Sequence, residues 1–362
     1  MICQNSFLTK FRYLKLLGIL IITFSLQGCK VNENLQEIDD VLKEEVDEDS
    51  PEEVDEDIVD SVEPDSIFNQ NSQYIAVIGD IQEYSVSDER INYFNKTNVW
   101  LRAQQKYFSV FSCILQNGDL TWGNQKIQWE RVDSSLNYLG DNLLFIPSIG
   151  NHDYTWGGSK GIEINDRNST GFNLLKNLSV LRKQKMLQFE KGKLDNIIVP
   201  IKIGADTLYV IALEFGPRKE VVLWADSIVR ENSRKKYILM THEWLTRPGQ
   251  RIVEGSYADM QFPNISHSTP EEIWKKMVYP NDNILCVLCG HNGFCKYLYS
   301  KNKAGREVCQ ILFNLQYQEN GGDGMIQLWE FPKEKNKINI FVYNTIKREF
   351  HHDPETNITI QF

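Results

Sequence analysis

Short apolar runs that stop abruptly at glycine and polar residues are the dominant pattern of this chain. Such runs without alternation are typical of strands that are buried on both faces of a sheet. The six predicted strands are Tyr74–Ile78, Val110–Leu115, Leu143–Ile149, Leu208–Leu213, Tyr237–Met240 and Ile284–Cys289. The pattern therefore predicts a sheet whose faces are covered by other elements.

Helical spacing of apolar residues separates several of these runs. Residues 127–139 and 220–230 each bring apolar side chains onto one helix face, and Thr269 opens a capping box with Pro270 at the first helical position. Strand and helix in alternation indicate the α/β class. Three later segments alternate in polarity and are predicted as antiparallel strands that complete a sheet: 308–317, 325–331 and 338–343.

The negative charge of the chain is concentrated near its beginning. Residues 30–70 contain 17 Asp or Glu and two Lys, whereas residues 71–362 carry a net charge of +2. Such an acidic segment buries too little surface to fold, so 30–71 is predicted to be a disordered tether. The folded domain is predicted over 72–362, with core motifs at 75–295 and C-terminal strands at 306–362. Because no dense Lys/Arg cluster is present, no nucleic-acid-binding patch is expected.

The first residues have the pattern of a processing signal. Lys10, Arg12 and Lys15 precede the apolar run Leu16–Leu26, which is too short to span a bilayer. The run ends in Leu26-Gln-Gly-Cys29, which resembles a bacterial lipobox. The sequence predicts a lipoprotein signal peptide over 1–29 and a chain lipid-anchored at the cell envelope, on the outer membrane or cell surface of a bacterium. An ordinary cleaved signal or a short anchor helix is the alternative.

Cys286-Val-Leu-Cys289 matches the spacing of some zinc and redox motifs. The pair lies inside a predicted strand, where residues three apart point to opposite faces. We therefore interpret these cysteines as packed core thiols.

Polar residues that suit a metal site follow the predicted strands. In α/β sheets, functional groups gather beyond the carboxyl ends of strands. A lone Gly-Asp is usually a turn, and a lone histidine is usually structural. Here, however, three of the six histidines of the chain share these strand ends with Asp and Asn. Such a set of O and N ligands predicts one or two divalent metal ions, with Mn, Fe or Zn favoured.

The order of these pieces resembles the calcineurin-like metallophosphoesterases, whose motifs run D-x-H, G-D, G-N-H-D/E, H and G-H-x-H. The matching pieces are Asp80-Ile-Gln82, Gly118-Asp119, Gly150-Asn-His-Asp153, His242 and Gly290-His-Asn-Gly293. The stretches "GDIQEYS", "NGDLTWGN", "EFGPR" and "QYQENGGDG" resemble a secreted bacterial branch with D-x-Q in its first motif. The resemblance implies a sandwich of two mixed β-sheets flanked by helices, with a metal centre at the strand ends.

The resemblance also implies a set of metal ligands. Asp119 would bridge two ions, and the second ion would also take Asn151, His242 and His291. The first ion would take Asp80, Asp119 and two histidines, but Gln82 and Gly293 stand at those two positions. Gln82 is therefore either the mark of a D-x-Q branch with its own metal preference or the first sign of a weakened site.

Two further residues are implied to act in catalysis. His152 would protonate the leaving oxygen or stabilise the transition state. Asp153 would orient His152 or cap the following turn. The predicted function is hydrolysis of a phosphomonoester or phosphodiester, on a small phosphorylated substrate, by a metal-activated water. A tethered binding or scaffold protein on a catalytically weakened fold is the alternative, and the retention of His152 favours the enzyme.

Several other residues carry two interpretations each. Tyr84 lines the pocket or packs in the core, and Arg218 contacts phosphate or caps a helix. Gln318 and 320–324 form a loop near the site or a hairpin turn. Residues 154–200 are expected to cover the metal centre, with Trp156 and Phe172 either at the substrate or in a packing cluster. The remaining histidines, expected at the surface, are His267, His351 and His352.

Overall fold

Two seven-stranded sheets carry the fold in the computed structural model, which describes residues 56–156, 165–178, 181, 184–263, 265–333, 336–353 and 356–361. The strands in chain order are β1 (Gln73–Ile78), β2 (Phe111–Gln116), β3 (Phe145–Pro147), β4 (Thr155–Trp156), β5 (Asn165–Asp166), β6 (Leu187–Gln188), β7 (Ile197–Ile203), β8 (Asp206–Leu213), β9 (Lys236–Thr241), β10 (Ile284–Cys289), β11 (Phe294–Lys301), β12 (Glu307–Asn314), β13 (Met325–Phe331), β14 (Lys337–Asn344), β15 (Glu349–Phe350) and β16 (Ile358–Gln361). The predicted signal peptide, 1–29, lies outside the described residues.

Both sheets are mixed, as the sequence predicts. The first sheet has the order β15-β14-β13-β1-β2-β3, with β16 also paired to β14, and β1, β2 and β3 run parallel. The second sheet has the order β11-β12-β10-β9-β8-β7-β6, with β8, β9, β10 and β12 parallel. A short ribbon pairs β4 with β5.

The prediction for the last strands was wrong in one respect. β13 and β14 are antiparallel strands of the first sheet, but β12 joins the second sheet, where it is antiparallel to β11 and parallel to β10. The glycine-rich segment 318–324 therefore crosses between the two sheets and is not a hairpin turn. Alternating polarity identifies a strand, but it does not specify the partner of that strand.

Helices and single turns connect the strands. The α-helices are Glu56–Asp60, Gln82–Ser85, Asp88–Phe108, Lys126–Asn137, Lys219–Glu231, Tyr257–Gln261 and Pro270–Ile273, the last continued by a π-turn at Trp274–Val278. The 3₁₀ turns are Asn151–Asp153, Phe172–Asn177 and Glu319–Gly321. The predicted helices at 127–139 and 220–230 are confirmed, and Thr269 caps its helix as expected.

The hydrophobic core has two layers on either side of the first sheet. Along β1, Ile75 and Val77 face the second sheet and pack in one cluster with residues of β8, β9 and β10. Tyr74 and Ala76 point the other way, into a cluster with aromatic and aliphatic residues of the helices. Both faces of β1 are therefore buried, which explains its continuous apolar run.

The folded part begins earlier than the sequence predicts. Residues 30–71 are predicted to be a tether, yet Glu56–Asp60 is a helix and Asp65 is buried. The Asp65 carboxylate accepts hydrogen bonds from Trp100 Nε1 at 3.1 Å and from the Tyr343 hydroxyl at 2.7 Å. The acidic composition of the segment did not reveal this contact, because Asp65 is one acidic residue among many in the sequence and only the fold shows that its carboxylate is buried. The rest of the tether, up to residue 55, lies outside the described residues.

The described cysteines are core residues. Cys286 and Cys289 lie on β10 with no exposed surface, and Cys286 is opposite Cys309 of β12. Cys113 and Cys295 are buried as well. The interpretation of core thiols is confirmed for this part of the chain. Within the same described residues, no helix is long and apolar enough to cross a membrane.

Candidate metal centre

The predicted ligands meet where the carboxyl ends of the two sheets come together. Asp80, Asp119 and Asn151 follow β1, β2 and β3 of the first sheet. His242 and His291 follow β9 and β10 of the second. Each parallel strand delivers one polar side chain to the same edge, as expected for this fold class. The site is therefore shared between the two layers of the sandwich.

Four side chains bring O and N donor atoms close together at this edge. Asp119 Oδ2 lies 3.1 Å from His242 Nε2. Asn151 Oδ1 lies 3.2 Å from the same nitrogen and 2.9 Å from His291 Nδ1. One donor atom from each of Asp119, His242 and His291 lies within 4.8 Å of the others. This cluster is called the four-ligand centre below.

The chemistry of the four-ligand centre calls for a positive charge. His242 Nδ1 lies 2.9 Å from the Asn117 carbonyl oxygen, which only accepts, so Nδ1 carries a proton. His242 Nε2 then faces two oxygen acceptors, those of Asp119 and Asn151. Their lone pairs repel one another unless a proton or a cation lies between them. Donor atoms bound to one zinc ion at about 2.0–2.2 Å also lie roughly 3 Å apart, so the four residues fit a divalent metal.

Without a metal, protonation of His242 relieves the repulsion between these atoms. Burial disfavours a charged His242, but the carboxylates of Asp119 and Asp80 outweigh burial and raise the pKa of His242 to about 10. Burial alone would likewise raise the pKa of Asp119, yet the neighbouring His242 lowers it below the ordinary range. Burial and the charge on His242 lower the pKa of His291 to about 3. The centre therefore consists of an ionised carboxylate beside a proton that a cation would displace.

Asp80 and Gln82 lie beside this centre in a different environment. Asp80 Oδ2 accepts hydrogen bonds from Asn314 Nδ2 at 2.6 Å, Gln316 Nε2 at 3.2 Å and the His291 backbone N–H at 3.1 Å. Gln82 Nε2 donates to Asp119 Oδ2 at 3.1 Å. The residues of the implied first metal position thus engage amide donors.

His152 lies at the edge of the centre with a defined ring orientation. Its Nδ1 lies 2.7 Å from the Trp122 carbonyl oxygen, which fixes the proton on that nitrogen. The indole ring of Trp122 lies against the imidazole, with ring centroids 5.3 Å apart. The His152 backbone N–H also donates to Asp119 Oδ1 at 3.0 Å. Proton gain and loss are therefore confined to Nε2.

Asp153 holds the loops of the site in place. Its carboxylate accepts from the Gly150 N–H at 2.9 Å, from the Leu120 N–H at 3.2 Å, and from both the N–H and the hydroxyl of Thr121 at 2.8 and 3.1 Å. These bonds join the loop of Asp119 to the turn of His152. Asp153 was predicted either to orient His152 or to cap a turn. The geometry favours a positioning role, in which Asp153 closes the turn that carries His152.

Two glycines of the motifs leave room for the carboxylates. A Cβ at Gly150 would lie 2.1 Å from Asp119 Oδ1, and a Cβ at Gly290 would lie 2.2 Å from Asp80 Oδ1. Contacts this short do not occur between real atoms. Glycine is therefore required at both positions by the close approach of backbone and carboxylate.

The other predicted candidates fall into supporting roles. Tyr84 is buried, and its hydroxyl accepts from the Gly324 N–H at 3.0 Å, which ties down the segment 318–324. The Arg218 guanidinium pairs with Glu214 at 2.8 Å and Glu190 at 2.9 Å, so it is already neutralised. Tyr84 thus packs in the core, whereas the Arg218 side chain makes no capping hydrogen bond and is instead used in these ion pairs.

The segment after His152 also supports the site. Asn165 Nδ2 donates to the Asn151 carbonyl oxygen at 2.9 Å, and Phe172 is fully buried against Trp129. His267 was expected at the surface, but its ring is mostly buried and pairs with Asp259 at 2.8 Å.

The sequence did not reveal three residues that form hydrogen bonds to the candidate metal ligands: Asn117, Asn314 and Gln316. Asn117 also clasps the two sheets, because its Nδ2 donates to the carbonyl oxygens of Cys289 at 2.9 Å and Phe313 at 2.8 Å. Asn314 is the last residue of β12, and Gln316 follows the strand two residues later. A signal was present: both asparagines lie at the end of an apolar run, as the ligands do.

Comparison with known proteins places the chain in a family. The two-sheet sandwich and the Asp, Asn and His donor set at its strand ends are the features that the resemblance to metallophosphoesterases implies. A profile of the calcineurin-like phosphoesterase family matches residues 74–293, more than half of the chain. The chain belongs to the calcineurin-like phosphoesterase family.

Individual relatives are distant. The uncharacterised protein YvnB of Bacillus subtilis (strain 168) is 24% identical over 294 residues, which is 77% of this chain and 20% of that protein. The chain thus spans about a fifth of the length of that relative. Purple acid phosphatase PPD1 from yellow lupin seeds aligns with a TM-score of 0.47 and 11% identity, over 80% of this chain and 54% of its own. The 5′-nucleotidase precursor of Thermus thermophilus aligns with a TM-score of 0.38 and 13% identity, over the same shares.

Proposed function

We propose that this chain hydrolyses phosphate esters of small molecules with a divalent cation held by Asp119, Asn151, His242 and His291. The observation that carries the proposal is the convergence of four O and N donor atoms beside His152, whose Nδ1 is hydrogen-bonded to a backbone carbonyl. A cation bound here would lower the pKa of water and neutralise phosphate oxygens.

The chain's own residues divide the remaining work. The Asn117 carbonyl holds the His242 ring so that Nε2 points into the centre. His152 presents Nε2 to the site and, when protonated there, donates that proton to the leaving oxygen of the ester. Trp122 fixes the ring through its carbonyl oxygen and packs against it with its indole. Asp153 keeps the loops of Asp119 and His152 in register.

The test is turnover of p-nitrophenyl phosphate and bis-p-nitrophenyl phosphate by the full chain loaded with Mn²⁺, Fe²⁺ or Zn²⁺. We expect turnover that a chelator removes and that added metal restores. Asp119→Asn, which keeps the size of the side chain, is expected to abolish both metal binding and turnover. A chain that binds metal tightly but turns over neither ester would instead support the tethered binding or scaffold protein.

The same proposal places the enzyme at the cell envelope, with a lipid on Cys29. What supports it is the sequence of the first 29 residues and the acidic segment that follows. Cys29→Ser is expected to move the protein from the detergent phase to the aqueous phase in Triton X-114 partitioning. Equal partitioning of the two proteins would remove the anchor from the proposal without affecting the hydrolase.

A further inference from the structure

We infer that this site binds one cation, and that side-chain amides occupy the position at which the family's first ion would bind. The inference rests on the proposed function, because it divides the site into a half that fits a metal and a half that does not. The four-ligand centre fits, as argued above. The second half is formed by Asp80, Gln82 and the backbone around Gly293.

Gln82 occupies the side of Asp119 that a second ion would need. A carboxylate oxygen that bridges two cations directs one lone pair to each of them. Asp119 Oδ2 faces His242 Nε2 at 3.1 Å on one side, and on the other it accepts a hydrogen bond from Gln82 Nε2 at 3.1 Å. An amide N–H of Gln82 therefore engages the same Asp119 oxygen that a second cation would have to share.

Asp80 is held by hydrogen-bond donors, mainly at one of its oxygens. Its Oδ2 accepts from Asn314, Gln316 and the His291 backbone, and its Oδ1 accepts only a longer bond from the same His291 N–H at 3.3 Å. A carboxylate oxygen with three donors has no lone pair left for a metal. The Oδ2 atom of Asp80 is therefore committed to amide donors rather than to an ion.

The orientation of the Asn314 amide is fixed from both ends. Its Oδ1 accepts the Gln316 backbone N–H at 3.0 Å, and its Nδ2 also donates to the His291 carbonyl oxygen at 3.2 Å. Turning the amide by 180° would place an oxygen against a carboxylate and a carbonyl. The Asn314 N–H group therefore points at Asp80 for structural reasons that do not depend on a metal.

Glycine at position 293 supplies no side-chain ligand for the first metal position. The Tyr317 ring occupies the space that a side chain at 293 would need. A Cβ on Gly293 would lie 2.5 Å from Tyr317 Cδ2 and 2.8 Å from Cε2. No side chain larger than hydrogen fits at 293 while the Tyr317 ring lies there. The chain thus lacks both histidines of the first position and has a compensating group at each: an amide at Gln82 and a phenol ring at Tyr317.

Counting metal ions per chain tests the inference. The full chain is stripped of metal, loaded with excess Mn²⁺, desalted and measured by mass spectrometry of the elements, with the electron paramagnetic resonance spectrum of the same sample recorded. We expect one Mn²⁺ per chain and the spectrum of an isolated ion. Two ions with an exchange-coupled spectrum would overturn the one-ion inference and leave the hydrolase standing. Zero ions would overturn the proposed function itself.

Matched variants locate the ion and the closed position. His242→Ala is expected to lower the count from one to zero, whereas Asn314→Asp, which adds charge beside Asp80, is expected to leave the ion at the four-ligand centre. A triple variant, Gln82→His, Gly293→His and Tyr317→Ala, restores two imidazoles and the room for them. A count that rises toward two supports the roles given to Gln82 and Gly293, and an unchanged count contradicts them.

Discussion

Nδ1 of His152 lies 2.7 Å from the carbonyl oxygen of Trp122, and this single contact decides which nitrogen of the ring can exchange a proton. The hydrogen bond leaves Nε2 as the reactive atom. The catalytic role that we propose for His152 therefore depends on the loop of Trp122 as much as on its own motif.

Replacing His152 by Asn is expected to lower kcat about 100- to 10,000-fold, the usual size of a general-acid contribution. The Asn side chain can still donate to the Trp122 carbonyl, so the turn is expected to stay intact while Nε2 is lost. Steady-state kinetics with p-nitrophenyl phosphate, together with the metal content, measure the effect. A loss of metal in parallel with activity would show that the residue is structural.

Metal affinity is expected to rise with pH. In the absence of metal, Asp119 and Asp80 outweigh the effect of burial and hold the pKa of His242 above its ordinary value, so the ring is protonated at neutral pH. The cation competes with that proton, and the apparent affinity falls by about a factor of ten per pH unit for each proton displaced as the pH is lowered. The rise ends when the pH passes the raised pKa of His242.

Calorimetric titration with Mn²⁺ in two buffers of different ionisation enthalpy measures the released protons. His352→Ala is the control, because this histidine is exposed and is expected to leave the release unchanged. An affinity that is independent of pH across the neutral range would argue against the protonated His242.

Gly150→Ala is expected to destabilise the protein and to weaken metal binding. The added methyl group would meet Asp119 Oδ1 at 2.1 Å, and overpacking of this kind costs about 1–3 kcal/mol of unfolding free energy. Gly123→Ala is the matched control, because a Cβ there meets no atom within 4 Å. Urea unfolding of the two variants gives the comparison, and equal midpoints would contradict the close approach at Gly150.

The buried thiols are expected to be unreactive in the folded protein. Burial raises the pKa of Cys113 well above that of a free thiol and the pKa of Cys309 to about 12, so thiolate is scarce in mildly alkaline buffer. A Cys3→Ser, Cys29→Ser variant removes the cysteines of the leader. Ellman's reagent should then label no thiol until the protein is unfolded, when five should react. Fast labelling in the native state would return the Cys286–Cys289 pair to the redox or metal interpretation.

The sequence predicts the strands and the polar residues that follow them well, for one physical reason. A strand buried on both faces must be continuously apolar, and a ligand at its end must be polar, so the boundary at Asp80 or His242 is sharp. The closing of the first metal position could not be predicted in the same way. Asn314 and Gln316 lie 234 and 236 residues from Asp80 along the chain, and no local pattern connects an amide to a carboxylate across that separation.

Three other differences have similar origins. The helix Asp88–Phe108 has a mixed polar and apolar surface, so the periodicity of its apolar residues is weak. It nevertheless supplies several residues of the core cluster that lies between the first sheet and the helices. The sheet assignment of β12 depends on its parallel pairing with β10, which the composition of the strand does not encode. The role of Asp153 was open because its partners belong to two loops that meet only in the folded chain.

The candidate ligands are divided between two sheets, so they are synthesised at different times as the chain leaves the ribosome with its N-terminus first. Asp80, Asp119 and Asn151 are synthesised well before His242 and His291, and the groups of Asn314 and Gln316 come last. A half-made chain therefore offers scattered carboxylates without the imidazoles of His242 and His291, a poor match for zinc or iron. The proposed metal centre is complete only when both sheets have packed together, so we expect an ion to bind late in folding.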